Sequence, residues 1–393
     1  MSQLIPENIR KAAERAISLN LPFVLYALPG ESEVRFMASR PHDGENRLDI
    51  TDRELKAFVI TMFAAPASSA VGIKAEMTAE DVLALPDDMP SFDGPQRLVR
   101  PLSTEYAHYL ANFHEAQKGL RYSTKKVVLS RRLAFMVSGN ATQLAEEYFT
   151  ELPDTFRALY FTQETGLWIT ATPEQLLNYD ATTSTFRTMA LAGTQSMGNK
   201  CVEGGEEWDE KNTLEHDLVV EHIKQVFYGA GLATEVSEPT VLKFGEVGHL
   251  CHRIKGFGQT DVSSLLDRLS PTPAVAGYPV NKTLELIERY EPHPRLCYGG
   301  WLGLKNGQDL DLYVNLRSAM LEPGEKTLNI NIICGGGILR ASKPEAEWKE
   351  AGMKAGPLWN VIREMQPTDI YGAPVPHSYH PADIPEEWMK FRE

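Results

Sequence analysis

Cysteine is scarce in this sequence, and no apolar run is long enough to cross a membrane. Only four of the 393 residues are cysteines, and no two of them have the Cys-x-x-Cys spacing of a metal or redox motif. Disulfide cross-linking is therefore not expected, and a reducing compartment fits the composition. The N-terminus also lacks the charged segment and apolar core of a signal peptide. We therefore expect a cytoplasmic protein.

Basic residues are outnumbered and are not clustered. The chain has 39 Lys and Arg against 53 Asp and Glu, which gives a net charge of −14. Nucleic acids and anionic membrane surfaces attract basic patches, so neither is expected as a partner. Because the protein is acidic, an anionic small molecule would need local cations or a metal ion to hold it.

Length and patterning indicate one compact unit. No internal repeat or low-complexity linker interrupts the 393 residues, and apolar residues make up 42%, as in globular proteins. Residues 1–100 are the least readable part and are assigned to the same unit. Residues 101–365 hold the motifs described below, and residues 366–393 are predicted to form an irregular tail.

Strand and helix patterns alternate along the chain and predict an α+β fold with mostly antiparallel sheets. Residues 22–40 are predicted to form a β-hairpin, and Asn306-Gly307 marks the turn of another. The glycine run at 335–337 is predicted to end the last strand. The remaining predictions are helices at 2–20, 104–119 and 206–232 and strands at 126–136, 298–304, 310–321 and 327–334.

Glutamates recur on two of the predicted helices. Glu215 flanks the apolar stripe of the first of them. Glu347, Glu350 and Lys354 are spaced i, i+3 and i+7 and share one face of a later helix. Spacing alone favours solvated charges that pair along each helix. The alternative is a hard cation held by oxygen atoms, since Mg²⁺ takes one or two carboxylates and keeps several waters.

One lysine and one glutamate are candidates for proton transfer. Lys125 and Lys126 are adjacent in a predicted strand, so only one of them can face a site, and most lysines lie at the surface. Thr172-Pro173-Glu174 has the pattern of a helix start, with Thr172 as the N-cap. At such a position the helix dipole favours the charged carboxylate, which argues against Glu174 as a proton donor.

The order of five motifs resembles that of the chorismate-utilising enzymes, a family that includes anthranilate synthase component I, isochorismate synthase and salicylate synthase. The resemblance covers roughly residues 100–365, and the order is far more specific than any single motif. It implies a two-layer core of mostly antiparallel sheets with helices outside. The motifs are Lys-Val-Val-Leu-Ser-Arg (126–131), Ala-Thr-Pro-Glu (171–174), Leu-Ala-Gly-Thr (191–194), Pro-Thr-Pro-Ala-Val-Ala-Gly (271–277) and Glu-Trp-Lys-Glu (347–350).

The resemblance implies which residues carry the chemistry. Lys126 would be the base that activates water for attack on C2 of the chorismate ring. Glu174 would be the acid that protonates the departing C4 hydroxyl. Mg²⁺ would bind the ring carboxylate and be held by Glu215 and Glu350, with Glu347 close by.

The resemblance also implies a pocket for the two carboxylates of chorismate. Arg317 is predicted on the polar face of its strand, and its Arg-Ser-Ala context assigns it to the enolpyruvyl carboxylate. A glycine run is more often a turn, although its backbone N–H groups are also able to bind an anion. The other implied pocket residues are Ala192, Gly193, Thr194, His249, Tyr298, Gly335, Gly336, Gly337 and Lys354.

Within the family, Lys126 and the Pro-Thr-Pro-Ala run favour isochorismate synthase, whose product feeds menaquinone or siderophore synthesis. Ser270 and Gly336 depart from the His and Ala that are common at these positions. Salicylate synthase, which adds a pyruvate elimination, is the closest alternative. The ammonia-using anthranilate and aminodeoxychorismate synthases and a non-catalytic carboxylate-binding relative are the others. No glutamine amidotransferase subunit is expected, and the protein is expected to be a monomer or homodimer.

Overall fold

Helices and strands are distributed along the whole of the described chain. The computed structural model describes residues 3–40, 46–95, 101–120, 123–196, 208–244 and 247–385. Within these ranges no helix is both long enough and apolar enough to cross a bilayer. The helices are α1 (Glu7–Leu19), α2 (Ala79–Leu83), α3 (Tyr106–Gly119), α4 (Ala141–Glu151), α5 (Glu210–Gly229), α6 (Val262–Leu269), α7 (Val280–Tyr290) and α8 (Pro344–Glu364). The strands are β1 (Phe23–Ala27), β2 (Arg35–Ala38), β3 (Lys56–Ile60), β4 (Val71–Lys74), β5 (Lys126–Ser138), β6 (Phe156–Thr162), β7 (Gly166–Thr172), β8 (Gln175–Asp180), β9 (Thr185–Ser196), β10 (Ala233–Val236), β11 (Thr240–Phe244), β12 (Val247–Phe257), β13 (Gly277–Tyr278), β14 (Trp301–Asn306), β15 (Asp309–Val314), β16 (Ser318–Pro323) and β17 (Thr327–Ile338).

The strands form two large antiparallel sheets. The first sheet has the order β13-β5-β17-β16-β7-β6-β1-β2. The second has the order β10-β12-β9-β8-β15-β14-β3-β4, and β11 pairs with β12 beside it. The prediction of an α+β fold with mostly antiparallel sheets is therefore confirmed.

Aromatic side chains fill the space between the two sheets. Phe156 of β6 stacks on Tyr313 of β15 with ring centroids 4.4 Å apart, and on Phe58 of β3 at 6.4 Å. Such offset ring pairs bury large apolar surfaces. The helices pack on the outer faces, with α1, α4 and α8 against the first sheet and α5 and α6 against the second. The core is thus two-layered, as the resemblance implied.

The elements bounded by clear turn residues were predicted correctly from local sequence patterns. The predicted hairpin at 22–40 is β1 and β2, which pair antiparallel with Phe23 opposite Ala38. The turn at Asn306-Gly307 joins β14 and β15, as expected. The strand predicted at 298–304 begins only at Trp301.

Two of the places where the chain passes between the sheets are adjacent, and one of them was predicted wrongly. Residues 310–321 were expected to form a single strand. They form β15 in the second sheet and β16 in the first, separated by residues 315–317. Arg317 has a φ of 50°, a left-handed conformation that breaks a strand. The other crossing, residues 173–174, joins β7 to β8, which pair with β16 and β15 respectively.

Candidate active site

A pocket between the sheets brings together most of the residues implied by the motifs. Its lining includes side chains or backbone from both crossings, from β9, β12 and β17, and from α5 and α8. Lys126 and Glu350 lie behind this lining, in contact with Glu215 and Lys354 respectively, and Glu347 contacts Lys211 next to them. The predicted residues that line it directly are Glu174, Ala192, Gly193, Thr194, Glu215, His249, Tyr298, Arg317, Gly335 and Lys354.

Lys126 is fully buried at the start of β5. Its side chain is 0% exposed, and its Nζ lies 2.8 Å from Oε1 of Glu215 on α5. The neighbouring Lys125 is exposed, as expected for adjacent residues of a strand, whose side chains point to opposite faces. Lys126 is therefore not a surface lysine, and its amine lies beside the pocket.

Glu174 does not begin a helix, so that prediction is wrong. It occupies the corner between β7 and β8. The hydroxyl of Thr172, predicted to cap a helix, instead donates to the carbonyl of Val314 at 2.6 Å. The carbonyl of Glu174 accepts from the N–H of Val314 at 2.9 Å. Long-range pairing between the two crossings thus replaces the local helix signal.

The surroundings of Glu174 favour the protonated carboxyl. Burial raises the pKa of Glu174 to about 7, although a hydrogen bond from Thr272 opposes the shift. The Thr272 hydroxyl donates to Oε1 of Glu174 at 3.3 Å. With no helix dipole at this corner, the objection to Glu174 as a proton donor no longer applies.

The glutamates of α5 and α8 are buried and held by lysines, so their interpretation as solvated helix charges is wrong. The exposed fractions are 4% for Glu215, 1% for Glu347 and 7% for Glu350. Lys211 lies 2.7 Å from Glu347 and 3.7 Å from Glu350, while Lys354 lies 2.8 Å from Glu350. Each helix contributes a lysine and at least one glutamate to the same cluster.

The charges of this cluster shift the two α8 carboxyls in opposite directions. Burial, with the negative charge of Glu350, raises the pKa of Glu347 to about 7. Burial also acts to raise the pKa of Glu350, but Lys354 and Lys211 outweigh it and hold that pKa below its usual value. The two carboxylates therefore repel each other in a place where a further cation would be stabilised.

The glutamates of this cluster offer oxygen atoms, the type of donor that a hard cation such as Mg²⁺ takes. Oε2 of Glu215 is buried without a hydrogen-bond partner among the described residues. In the ranges that the structure describes, no three His, Cys, Asp or Glu side chains are placed to hold a metal ion by themselves. Mg²⁺ needs only one or two carboxylates, because water and substrate oxygens complete its shell. Glu215, Glu347 and Glu350 would be the residues that hold it.

The glycine run at 335–337 lies inside β17, so the prediction that it ends the strand is wrong. The three glycines continue the antiparallel ladder opposite residues 128–130 of β5. A Cβ on Gly337 would lie 2.5 Å from Oε1 of Glu215 and 2.8 Å from Cε of Lys126. A Cβ on Gly336 would lie 3.3 Å from Oε2 of Glu347. These positions lack side chains because the acidic and basic groups occupy that space.

Arg317 is a buried cation that faces the pocket from the crossing between β15 and β16. It is 9% exposed, and its Nη1 has no hydrogen-bond partner within the described ranges. Its Nη2 lies 3.3 Å from Nε2 of His249. Burial lowers the pKa of Arg317 to about 10, and burial with the Arg317 charge lowers the pKa of His249 well below its usual value. A neutral His249 thus accepts from a guanidinium that has donors left for a carboxylate.

Residues 192–194 form a bulge in β9 rather than a loop. The register with β12 shifts here, since His249 lies opposite Thr194 and Leu250 opposite Ala192. Gly193 has a φ of 73°, and a Cβ on it would lie 2.8 Å from the backbone oxygen of Asn212. Glycine is therefore required by both conformation and space. The bulge directs the backbone of β9 toward the pocket.

Two residues that contact the predicted acid and metal groups were not identified as site residues from the sequence. Lys211 precedes Glu215 by one helical turn, and Thr272 lies within the Pro-Thr-Pro-Ala run. The i, i+4 spacing of Lys211 was a usable signal. Its contacts with α8, and that of Thr272 with Glu174, join residues far apart in the chain and have no local signal.

Known proteins share both sequence and fold with this chain. Residues 47–363 match the model of a family described as chorismate binding enzyme. The isochorismate synthase MenF of Escherichia coli (strain K12) is 36% identical over 183 residues, which are 45% of this chain and 42% of that protein. The chain spans about half the length of the curated relatives it matches.

Two solved structures show how widely the fold is shared. MenF, the menaquinone-specific isochorismate synthase from Escherichia coli, has a TM-score of 0.69 and 22% identity over 87% of this chain and 88% of its own. Anthranilate synthase component I from Streptococcus pneumoniae has a TM-score of 0.59 and 17% identity over 86% of this chain and 92% of its own. The fold is therefore common to relatives that differ in reaction, and the residues of the pocket must decide between them.

Proposed function

Because the chain belongs to the chorismate-binding enzymes, we propose that it is an isochorismate synthase, which converts chorismate into isochorismate. The family inferred from motif order is thereby confirmed. The observation that carries the proposed reaction is the presence, at one pocket, of a buried lysine, Lys126, and a buried carboxyl, Glu174, whose pKa is raised to about 7. The sequence relative with 36% identity is itself called an isochorismate synthase.

The pocket suits a small dianion. Arg317 offers unpaired N–H donors at one end. Lys354 and Lys211 supply positive charge on the side of α8. Chorismate carries a ring carboxylate and an enolpyruvyl carboxylate, and the proposal assigns the second to Arg317. This charge arrangement explains how a protein with a net charge of −14 would hold such a substrate.

The reaction moves a hydroxyl group and changes no oxidation state. As water attacks C2 and the new C–O bond forms, the proposal has Lys126 take the proton of that water. The ring double bond shifts, the C4–O bond breaks, and Glu174 gives its proton to the departing oxygen. Lys126 ends protonated and Glu174 ends ionised, and exchange with solvent restores both.

We propose Mg²⁺ as the cofactor, held by Glu215, Glu350 and Glu347. Bound there, it would neutralise the ring carboxylate and compete with Lys126 for Glu215. The support is the unpartnered Oε2 of Glu215 and the mutual repulsion of the two α8 glutamates.

Removal of divalent cations is expected to stop turnover, and added Mg²⁺ is expected to restore it. The reason is that the ring carboxylate would otherwise face buried glutamates without a counter-charge. Chelator-treated protein would be assayed with and without Mg²⁺, and Mg²⁺ binding would be measured directly by calorimetry. Glu215→Gln is expected to weaken binding, while Glu221→Gln, an exposed residue of the same helix, is the matched control. Full activity in chelator would show that Glu215 and Glu350 do not hold a required metal.

Product identity tests the proposed reaction most directly. Chorismate and Mg²⁺ would be supplied without an amine, the products separated by chromatography, and pyruvate assayed in the same tube. Isochorismate without pyruvate supports the proposal. Salicylate with stoichiometric pyruvate would identify a salicylate synthase instead. Bound but unconverted chorismate would indicate an ammonia-using or non-catalytic relative.

The cellular role follows from the product. We propose that isochorismate made here supplies menaquinone or siderophore synthesis, which a deletion strain would distinguish by its growth without added menaquinone or without iron. A cytoplasmic location, a monomer or homodimer, and activity without an amidotransferase subunit stay predictions from the sequence.

A further inference from the structure

The C-terminal tail, residues 366–385, lies against the two elements that carry the proposed base and metal ligands. These elements are β5, which begins with Lys126, and α8, which carries Glu347 and Glu350. The match to the family model ends at residue 363, so the tail lies beyond the part of the chain that defines the family.

The first part of the tail is joined to β5 and to the far half of α8. Thr368 and Met136 of β5 exchange backbone hydrogen bonds of 2.8 and 3.0 Å. Further along, the ring of Tyr379 lies 6.1 Å from that of Phe135 in β5 and 5.1 Å from that of Trp359 in α8. The tail therefore bridges the strand and the helix.

The second part of the tail contacts the turns of α8 that carry the proposed metal ligands Glu347 and Glu350. The guanidinium of Arg131 from β5 lies 3.5 Å from the centroid of the Trp348 ring. The same group donates to the backbone oxygens of Trp348 and Pro381. The indole N–H of Trp348 donates to the backbone oxygen of Asp383 at 2.8 Å. Trp348 directly follows Glu347 in the chain, so this tail contact lies one residue from a proposed metal ligand.

Gly352 provides the closest approach between the helix and the tail. A Cβ on Gly352 would lie 2.4 Å from both the N and the Cα of Ala382, a distance at which backbone must move. Gly356, one turn later, would place a Cβ 3.9 Å from Nε2 of His380, which is ordinary contact. Of these two glycines, only Gly352 is therefore required for the tail to pack against α8.

The tail and the glutamates occupy different sides of α8. At about 100° per residue, Gly352 lies about 140° around the helix from Glu347 and about 160° from Glu350. The tail therefore cannot contact the two glutamates directly, and it affects them by fixing the rotation and position of the helical turn that carries them. We propose that the C-terminal tail is a positioning element that holds the first half of α8 so that Glu347 and Glu350 face the metal site.

This proposal rests on the proposed function in one respect, namely that the two glutamates hold a metal ion. Its test compares Gly352→Ala with the matched control Gly356→Ala in the full-length protein. Hydrogen–deuterium exchange of residues 344–356 and 379–385 reports the tail contact without reference to activity. Turnover is then measured against Mg²⁺ and chorismate separately, together with the melting temperature.

Gly352→Ala is expected to raise exchange in both segments. It is also expected to raise the Mg²⁺ concentration for half-maximal rate, or lower kcat, by about 10-fold to 100-fold, as misplacement on the order of 1 Å does. The KM for chorismate should stay near that of Gly356→Ala, since Arg317 is untouched. Trp348→Phe, which removes the N–H bonded to Asp383 and part of the ring that packs on Arg131, should show the same pattern more weakly.

Three outcomes would overturn the proposal. One is a rise in hydrogen–deuterium exchange of the tail while the Mg²⁺ dependence of the rate and the kcat stay unchanged. Another is a loss that affects chorismate KM and melting temperature equally, because that is general destabilisation. The third is unaltered exchange in residues 344–356. If the unaltered protein converts no chorismate, the proposed function fails, and Mg²⁺ calorimetry on the two glycine variants decides the tail's role by itself.

Discussion

Lys126→Gln is expected to lower the rate of isochorismate formation by at least about 10³-fold while chorismate still binds. Lys126 is the buried amine beside the pocket, and glutamine cannot accept the proton of the attacking water. Glutamine is preferred to alanine because its amide still donates to Glu215, whereas alanine would leave that buried carboxylate without its partner. Single-turnover assays and chorismate binding by calorimetry separate the two effects.

The neighbouring residue provides the control for this change. Lys125→Gln removes the same charge one position away, from an exposed side chain, and is expected to retain turnover. Melting curves of both variants show whether the fold survives. Turnover by Lys126→Gln near that of the unaltered protein would refute its role as the base.

Glu174→Gln is expected to lower turnover by about 10²-fold to 10⁴-fold, since the amide cannot protonate the departing hydroxyl. In the unaltered protein the proton donor is lost as pH rises through the pKa of about 7. The rate should therefore fall on the alkaline side of about pH 7. Thr272→Val removes the hydrogen bond that lowers this pKa, so the alkaline fall should move to higher pH.

Ionisation of the Glu174 carboxyl should also make the free energy of unfolding depend on pH. Its pKa is raised from 4.5 to about 7 in the folded protein, so the folded state binds more protons than the unfolded state between these values. The free energy of unfolding should therefore fall as pH rises from about 4.5 to about 7, by on the order of 3 kcal/mol in full. Glu174→Gln should lack this loss. Two results would contradict the role of Glu174 as the acid with a raised pKa. One is an alkaline fall in rate that stays at the same pH in Thr272→Val. The other is a free energy of unfolding that depends on pH in Glu174→Gln as it does in the unaltered protein.

Elements with complete local signals were predictable from the sequence, and those defined by distant partners were not. The hairpin of β1 and β2 is bounded by its own turn residues. Thr172-Pro173-Glu174 carries an equally clear helix signal, but the Thr172 hydroxyl is taken by Val314 from another strand. Likewise the strand pattern around Arg317 contains no sign that the two halves belong to different sheets.

The candidate site was likewise predictable only in part: the sequence identified its residue types but not the contacts between them. Motif order identified Lys126 and Glu215, yet their 2.8 Å contact depends on how β5 and α5 are brought together. The glycines at 335–337 were visible as a run, but the reason for them is the space taken by Glu215 and Lys126. Sequence patterns name residue types, whereas the absence of a side chain is explained only by its neighbours.

The two adjacent crossings make the pocket a property of the completed fold. Glu174 lies on one crossing and Arg317 on the other. Val314, which precedes the second crossing, donates its N–H to the Glu174 carbonyl and accepts from the Thr172 hydroxyl. A partly folded chain with only one sheet in place would have neither group in position. A molecule in which only one layer had folded would therefore lack the assembled pocket, even with every residue of the pocket already in the chain.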